Sequence, residues 1–184
     1  MRHAWTTSEL QNDCKKLTLT NTSNIMKTFF LLIVAVIIST VIMDIGGAIM
    51  RPTKVTAGAP PELIGKWIQS AVRGQIFVED IRTSIGNPVP LSRFLLYHYI
   101  IGLLLTFIFY FIISVFKIAP LPWWIPLMYG VATTLIAAFV MFPGMGFGIL
   151  GLKGPAEYLL LRTAILNHLF YGIGLMLTFR WLFK

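Results

Sequence analysis

The sequence has little charge and a single cysteine. Asp, Glu, Lys and Arg make up 12% of its 184 residues, about half of the roughly 25% that is usual in soluble proteins. Because 57% of the residues are apolar, a soluble domain of this length would lack the polar surface needed to cover its core. Cys14 alone cannot form a disulfide within the chain. The shortage of charge therefore excludes an ordinary soluble domain and indicates a membrane protein.

The sequence also lacks the patterns that identify common enzymes. It contains no Ser-His-Asp arrangement, no CxxC pair, no paired carboxylates and no Walker loop. The glycines at Gly144, Gly146 and Gly148 resemble a dinucleotide fingerprint, but that fingerprint follows a strand, and here an apolar segment precedes it. Close helix packing or a flexible helix end is the better interpretation of these glycines. We therefore predict a protein without enzymatic activity and without a cofactor.

The formal net charge of +8 first suggests a nucleic-acid partner. The basic residues, however, stand largely at the edges of apolar runs, as Lys27, Arg51, Arg93 and Lys117 do. Basic residues at such edges bracket membrane spans and meet anionic lipid head groups. This distribution favours the lipid bilayer as the partner and argues against nucleic acid.

Four apolar runs predict an all-α, multi-pass membrane protein. The predicted spans cover residues about 28–50, 94–116, 123–142 and 163–182, and each is near the 20 or so residues that cross a bilayer. Residues 1–25 are polar without helical periodicity, so we expect a disordered tail before a membrane domain over residues 26–184. Tryptophans near the predicted membrane boundaries are expected to lie at the interface: Trp67, Trp123, Trp124 and Trp181.

The longest polar connection contains an amphipathic helix over residues about 61–73. Pro60 and Pro61 begin it, and apolar residues such as Ile64 and Trp67 recur on one face. Such a helix either lies in the bilayer interface or packs on the end of the bundle. The sequence leaves both interpretations open.

The distribution of basic residues hardly determines the orientation of the chain in the membrane. An even number of spans puts both termini on one side, and the 15 basic residues divide seven to eight between the two sides. If the natural product starts at Met26, the division becomes four to eight. The positive-inside rule would then place the long loop in the cytoplasm.

The two halves of the chain share a short motif. His98 and Gly102 in the second span match His168 and Gly172 in the fourth, and an arginine precedes each span. This similarity predicts a tandem two-helix repeat, with the halves related by a twofold axis along the membrane normal. A chance match between apolar segments is the alternative.

Asp44, His98 and His168 are the ionisable residues inside the spans. An aspartate in hydrocarbon costs about 2.5–3.5 kcal/mol, so such groups normally face the bundle interior and have partners. Hydrogen bonding between helices is the first interpretation, and proton or solute handling is the second. Ligation of a metal or haem by the two imidazoles is the third.

Several motifs in order resemble a bacterial membrane family classed as domain of unknown function 2938. They are Met43-Asp44, Gly65–Ile68, Arg73-Gly74, His98–Gly102, Pro143–Gly148 and His168–Leu175, and together they span residues about 30–180. The resemblance implies a four-span protein of the bacterial inner membrane. It implies no activity, substrate or cofactor.

Three functional hypotheses follow. The first is a non-enzymatic membrane bundle that acts as a homo-oligomer or within a larger membrane assembly. The second is a small transporter or proton-conducting subunit that uses Asp44, His98 and His168. The third is a haem- or metal-binding membrane protein with His98 and His168 as ligands.

The composition generates a direct test of membrane insertion. After detergent-free lysis and ultracentrifugation, we expect the protein in the membrane pellet, and we expect it to stay there after a high-salt wash because apolar burial in lipid is insensitive to screening. A folded, monodisperse protein in the supernatant would contradict the prediction.

Overall fold

The computed structural model describes residues 7–53, 56, 60–83, 89–155 and 158–182. In these ranges all regular structure is helical. The chain order is α1 (Thr7–Met50), α2 (Pro61–Val72), α3 (Leu91–Val115), α4 (Trp124–Gly144) and α5 (Tyr158–Leu182). Short 3-10 turns occupy Arg51–Thr53 and Ile149–Gly151.

Four of these helices are long and apolar enough to cross a membrane, which confirms the predicted fold class. The candidate spans are Ser23–Thr53, Leu91–Val115, Trp124–Gly144 and Tyr158–Trp181. The shortest has 21 residues, and about 20 residues of helix suffice to cross the hydrocarbon layer. The side chains that face outward along these helices are mostly apolar, as contact with lipid requires.

Helix α1 starts far earlier than the predicted first span. We expected disorder over residues 1–25, but from Thr7 onward the backbone belongs to the same helix as the span. Residues 1–6 lie outside the described part of the chain. No glycine or proline occurs between Thr7 and Ile45. No helix-breaking residue therefore separates the predicted tail from the span. Extending a formed helix adds one hydrogen bond per residue without a new nucleation step, so a polar sequence suffices.

Helix α4 contains a π-helical turn at Ala137–Met141. Pro143 follows two residues later. It has no backbone N–H to donate to the carbonyl four residues before it, and in a regular α-helix its ring would clash with that carbonyl. The wider turn accommodates the proline, with the Phe142 backbone N–H bonded to the Ala137 carbonyl. The helix therefore continues to Gly144, slightly beyond the predicted end of the third span.

Helix α2 packs on one end of the bundle. Gly65 lies against Val89 and Phe94 near the start of α3, and the apolar residues Leu63 and Ile64 pack against a buried core cluster. Trp67 Nε1 donates a 2.8 Å hydrogen bond to the Ile76 carbonyl. These contacts hold α2 against the bundle end.

The loop after α2 and the glycine-rich run after α4 form one packed unit. The Val78 and Ile81 backbone N–H groups donate to the carbonyls of Gly144 and Met145, at 2.9 and 3.0 Å. Gly146 has φ +82° and lies directly against the Glu79 carbonyl, so any side chain there would collide with backbone. The glycines thus allow two loops to approach closely, whereas the sequence had suggested helix packing.

An ion pair fixes the end of this unit. The Arg82 side chain and backbone N–H bind the Asp80 carboxylate, with a shortest distance of 2.7 Å. These hydrogen bonds hold the pKa of Asp80 below its ordinary value. The Arg82 guanidinium also lies 5.5 Å from the centroid of the Phe147 ring in the glycine-rich run.

Helix α5 lies between α1 and α4 and contacts both through small residues. A Cβ atom added to Gly130 of α4 would lie 2.7 Å from Gly172 Cα and would also meet the backbone at His168. On the other side, Gly174 of α5 lies directly against the Ser39 backbone of α1. Small residues let the backbones of membrane helices approach and gain packing contacts.

The Gly130–Gly172 contact generates a stability prediction. We expect Gly130→Ala to lower the free energy of unfolding by about 1–3 kcal/mol, because the added methyl group meets backbone atoms that cannot move aside. Thermal unfolding in detergent measures the effect. Leu135→Ala on the same helix is the matched control, since Leu135 is 58% exposed and should change stability little. Equal melting temperatures for Gly130→Ala and the wild type would contradict the prediction.

Candidate functional site

A cavity of about 280 Å³ lies inside the bundle, at the end that carries α2. All five helices contribute to its wall. Apolar residues from α2, α4 and the start of α3 line one part of it. The polar part comes from α1, α3 and α5, and it includes Thr40, Asp44, His98, Asn167, His168 and Tyr171. The three ionisable residues predicted from the sequence therefore line the same cavity.

Asp44 and His98 form a pair across α1 and α3. His98 Nε2 lies 3.1 Å from Asp44 Oδ1, and the Tyr99 hydroxyl lies 3.5 Å from Oδ2. The His98 ring stacks on Phe94 at a centroid distance of 5.5 Å. The His98 side chain is 19% exposed and the Asp44 side chain 41%. Asp44 thus has the hydrogen-bond partner expected of a charged group within a span, and its carboxylate stays accessible.

His168 is held by Thr133 of α4. Thr133 Oγ1 lies 2.6 Å from the Gly130 carbonyl oxygen and 2.6 Å from His168 Nδ1. A carbonyl oxygen only accepts, so the threonine hydroxyl donates to Gly130 and accepts the Nδ1–H of His168. The neutral His168 ring then carries its lone pair on Nε2. This nitrogen is the one available to a ligand.

Tyr171 joins α5 to α3 at the inner end of the cavity. Its hydroxyl donates to the Gly102 carbonyl at 3.1 Å and accepts from the Thr106 hydroxyl at 2.7 Å. Gly102 itself lies against Thr40 of α1, as a close-packing glycine should. These hydroxyl groups were not predicted as site residues. Thr and Tyr are common in membrane helices, so their identity alone gives no signal.

Some buried polar atoms of the described side chains have no hydrogen-bond partner. They are Ser39 Oγ, Thr40 Oγ1, Thr134 Oγ1 and Asn167 Oδ1. Such atoms are rare because an unmade buried hydrogen bond costs about 1–3 kcal/mol. Thr40 and Asn167 line the cavity, but their unpartnered oxygens are fully buried: Thr40 Oγ1 lies against Gly102, and Asn167 Oδ1 lies against Gly47.

The predicted interfacial tryptophans divide into two groups. Trp123 and Trp124 near the start of α4, and Trp181 near the end of α5, are exposed at the same end of the bundle. That arrangement fits an aromatic belt at one membrane surface. Trp67 differs, because its side chain lines the cavity at the opposite end and donates to the Ile76 carbonyl.

The two halves of the chain that carry the shared motif do not pack symmetrically. His98 and Gly102 contact α1, just as His168 and Gly172 contact α4. Helix α5, however, packs extensively on α1, whereas α3 barely touches α4. A twofold axis would make these two interfaces alike. The α1–α3 interface is also much smaller than the α4–α5 interface, so the bundle is asymmetric.

Metal ligation has limited support from the residues that the structure describes. Within them, no group of three or more His, Cys, Asp or Glu side chains is placed to hold a metal ion. His98 Nδ1 and His168 Nε2 are the ring nitrogens not engaged by Asp44 or Thr133. They are the atoms that a metal would need.

The fold and the cavity define a multi-pass helical membrane protein with a polar site between its spans. A family model described as "Protein of unknown function (DUF2938)" matches residues 33–181, and the chain belongs to this family. The match covers the cavity-lining residues of all four spans and confirms the resemblance noted from the motifs. No curated protein and no solved structure matches the chain.

The accessibility of Asp44 generates a labelling prediction. A carbodiimide activates accessible carboxyl groups at mildly acidic pH, and the Asp44 side chain is 41% exposed. We expect modification of the peptide that contains Asp44, detected by mass spectrometry, and its loss in Asp44→Asn. An unmodified Asp44 peptide in the wild-type protein would show that the carboxyl group is inaccessible.

Proposed function

We propose that this protein is a small membrane transporter, or a subunit of one, that binds a small solute in the cavity and couples its binding to protonation of Asp44, His98 and His168. The single observation behind the proposal is the convergence of these three residues from α1, α3 and α5 on one cavity. Ionisable groups inside membrane bundles usually mark solute or proton pathways.

The geometry of the pair supports proton coupling. Asp44 and His98 are in hydrogen-bond contact, so uptake of one proton by the imidazole converts a charged carboxylate beside a neutral ring into a neutral ion pair. The charge of the cavity then changes by one unit without movement of a helix. A solute that senses this charge binds differently in the two states.

The proposal includes an assembly and a location. A chain of four spans is small for a complete transport path, so we propose that it works as a homo-oligomer or with other membrane proteins, without enzymatic activity of its own. We place it in the bacterial inner membrane, as the family resemblance implies.

Reconstitution into liposomes tests the proposal. We expect the wild-type protein to move protons with at least one solute from a panel of amino acids, carboxylic acids, sugars and organic cations. An internal pH dye reports the flux, and protein-free vesicles give the background. His98→Ala and His168→Ala should abolish it, because each removes a titratable group from the cavity.

His3→Ala is the matched control, since His3 is the remaining histidine of the chain. This variant should retain the flux. All variants are first checked for membrane insertion and monodispersity. If the wild type moves protons with none of the solutes, or if the two cavity variants lower only the yield or melting temperature, the transport proposal is wrong.

A further inference from the structure

We propose that the packed unit of the loop after α2 and the glycine-rich run is a phospholipid-binding surface at the boundary of the hydrocarbon layer, where Lys153 contacts a lipid phosphate. This surface shares no residue with the lining of the cavity. Its role is therefore independent of the proposed transport function.

The length of α4 fixes the depth of the packed unit. Helix α4 has 21 residues, from Trp124 to Gly144. At 1.5 Å per residue it is about 31 Å long, close to the roughly 30 Å thickness of the hydrocarbon layer. Trp123 and Trp124 are exposed at one end of α4, and tryptophans in that position mark a membrane boundary. Gly144 at the other end therefore reaches the opposite boundary.

Hydrogen bonds place the loop after α2 at the same depth. The Val78 N–H donates to the Gly144 carbonyl, and the Ile81 N–H donates to the Met145 carbonyl, at 2.9 and 3.0 Å. The loop thus runs beside the last residue of the span. Phe77 directly precedes Val78, and its side chain is 69% exposed. An exposed phenylalanine at this depth lies beside lipid.

The glycine-rich run continues the lipid-facing surface of α4. Phe139 is 53% exposed, and Pro143 follows it by one helical turn on the same side of α4. An open depression begins there and is lined by Pro143, Gly146, Gly148, Ile149, Leu152 and Lys153. Ile149 and Leu152 are each 59% exposed. The apolar surface therefore extends from the span onto the run, where it can contact the upper part of an acyl chain.

Lys153 brings a positive charge to the rim of this depression. Its backbone N–H donates a 2.8 Å hydrogen bond to the Phe147 carbonyl, and its side-chain stem lies over Gly148, which has φ +70° and no side chain to obstruct it. Lys153 is exposed. A lysine that packs its stem on an apolar surface keeps its ammonium group at the level of the lipid head groups, where phosphate is the common anion.

The packed unit thus matches the two parts of a phospholipid. Its exposed apolar side chains would form an unfavourable patch in water, but they are stabilised among acyl chains. Its charged residues leave one net positive charge, which favours an anionic head group: Arg73, Arg82 and Lys153 against Glu79 and Asp80. Continuity with the lipid-facing side of α4 favours lipid over a protein partner.

Fluorescence quenching in phosphatidylcholine vesicles tests the depth. Cys14→Ser removes the native cysteine, and Phe77→Cys or Leu152→Cys then carries a single fluorescent label on the full-length protein. Brominated acyl chains quench a label from within the lipid, and iodide quenches it from water. We expect strong quenching of both labels by chains brominated near the ester end and weak quenching by iodide.

Two further labelled positions are the matched references. Leu135 is 58% exposed near the middle of α4, so a Leu135→Cys label should respond most to chains brominated deeper. Ser8 lies on the part of α1 that extends about 22 Å beyond Ser23, so a Ser8→Cys label should respond to iodide alone. A Phe77 or Leu152 label that behaves like the Ser8 label would overturn the proposal. A label shielded from both quenchers would indicate a protein contact and would also overturn it.

The phosphate contact is tested at the same site in detergent. The probe is a short-chain phosphatidylglycerol with brominated chains, which should quench the Leu152→Cys label as it binds. Lys153→Met keeps an apolar stem without the charge and should need about fivefold more lipid for half-maximal quenching. This factor corresponds to roughly 1 kcal/mol per basic residue near an anionic membrane surface. Lys153→Arg is the matched control and should retain the wild-type response.

Equal quenching curves for Lys153→Met and the wild-type lysine would overturn the assignment of the phosphate to Lys153. Inorganic phosphate is the competitor that separates a lipid from a free anion. We expect it to displace little of the lipid at equal concentration, because it lacks acyl chains, and full displacement would overturn the proposal. None of these measurements involves flux, so their outcome and that of the liposome experiment are independent.

Discussion

The close contact of α5 with α1 and α4 is the constraint on which the site depends. Lipid solvates apolar side chains as well as a neighbouring helix does, so association within a bilayer needs tight packing or hydrogen bonds. Gly130, Gly172 and Gly174 provide the packing, because they let backbones meet without side chains between them. That approach brings Asn167 and His168 of α5 into the space beside Asp44. With larger residues at these glycines, the helices would separate and the cavity would lose its inner wall.

Polar side chains in the bundle are stabilised by hydrogen bonds between helices, whereas the apolar ones are stabilised by packing. Each costs free energy in lipid unless it has a partner, and most find one on a neighbouring helix: Asp44 with His98, His168 with Thr133, Tyr171 with Thr106. These bonds join α1 to α3, α4 to α5, and α5 to α3. Ser39, Thr40, Thr134 and Asn167 are exceptions among the described residues, because one oxygen atom of each is buried without a hydrogen-bond partner.

The family assignment gives these observations a wider use. Membership in a family of unknown function names no substrate, so the argument for function rests on the cavity alone. The packed unit of α2, the loop after it and the glycine-rich run covers the same end of the bundle as the cavity. The set of polar side chains that line the cavity, among them Asp44, His98 and His168, is a property that other members of the family can be examined for.

The sequence determined the membrane class, the four spans and the identity of Asp44, His98 and His168 as candidates, because hydropathy and the cost of charge in lipid are properties of single segments. It also located α2, whose amphipathic period is local. The tertiary structure decided that the three residues share one cavity, that Thr133, Asn167 and Tyr171 belong with them, and that Trp67 faces inward. It also decided that α1 begins at Thr7 and that the halves pack asymmetrically. These features depend on which helices are in contact and at which residues. Contacts between distant segments produce no periodic pattern in the sequence of either segment.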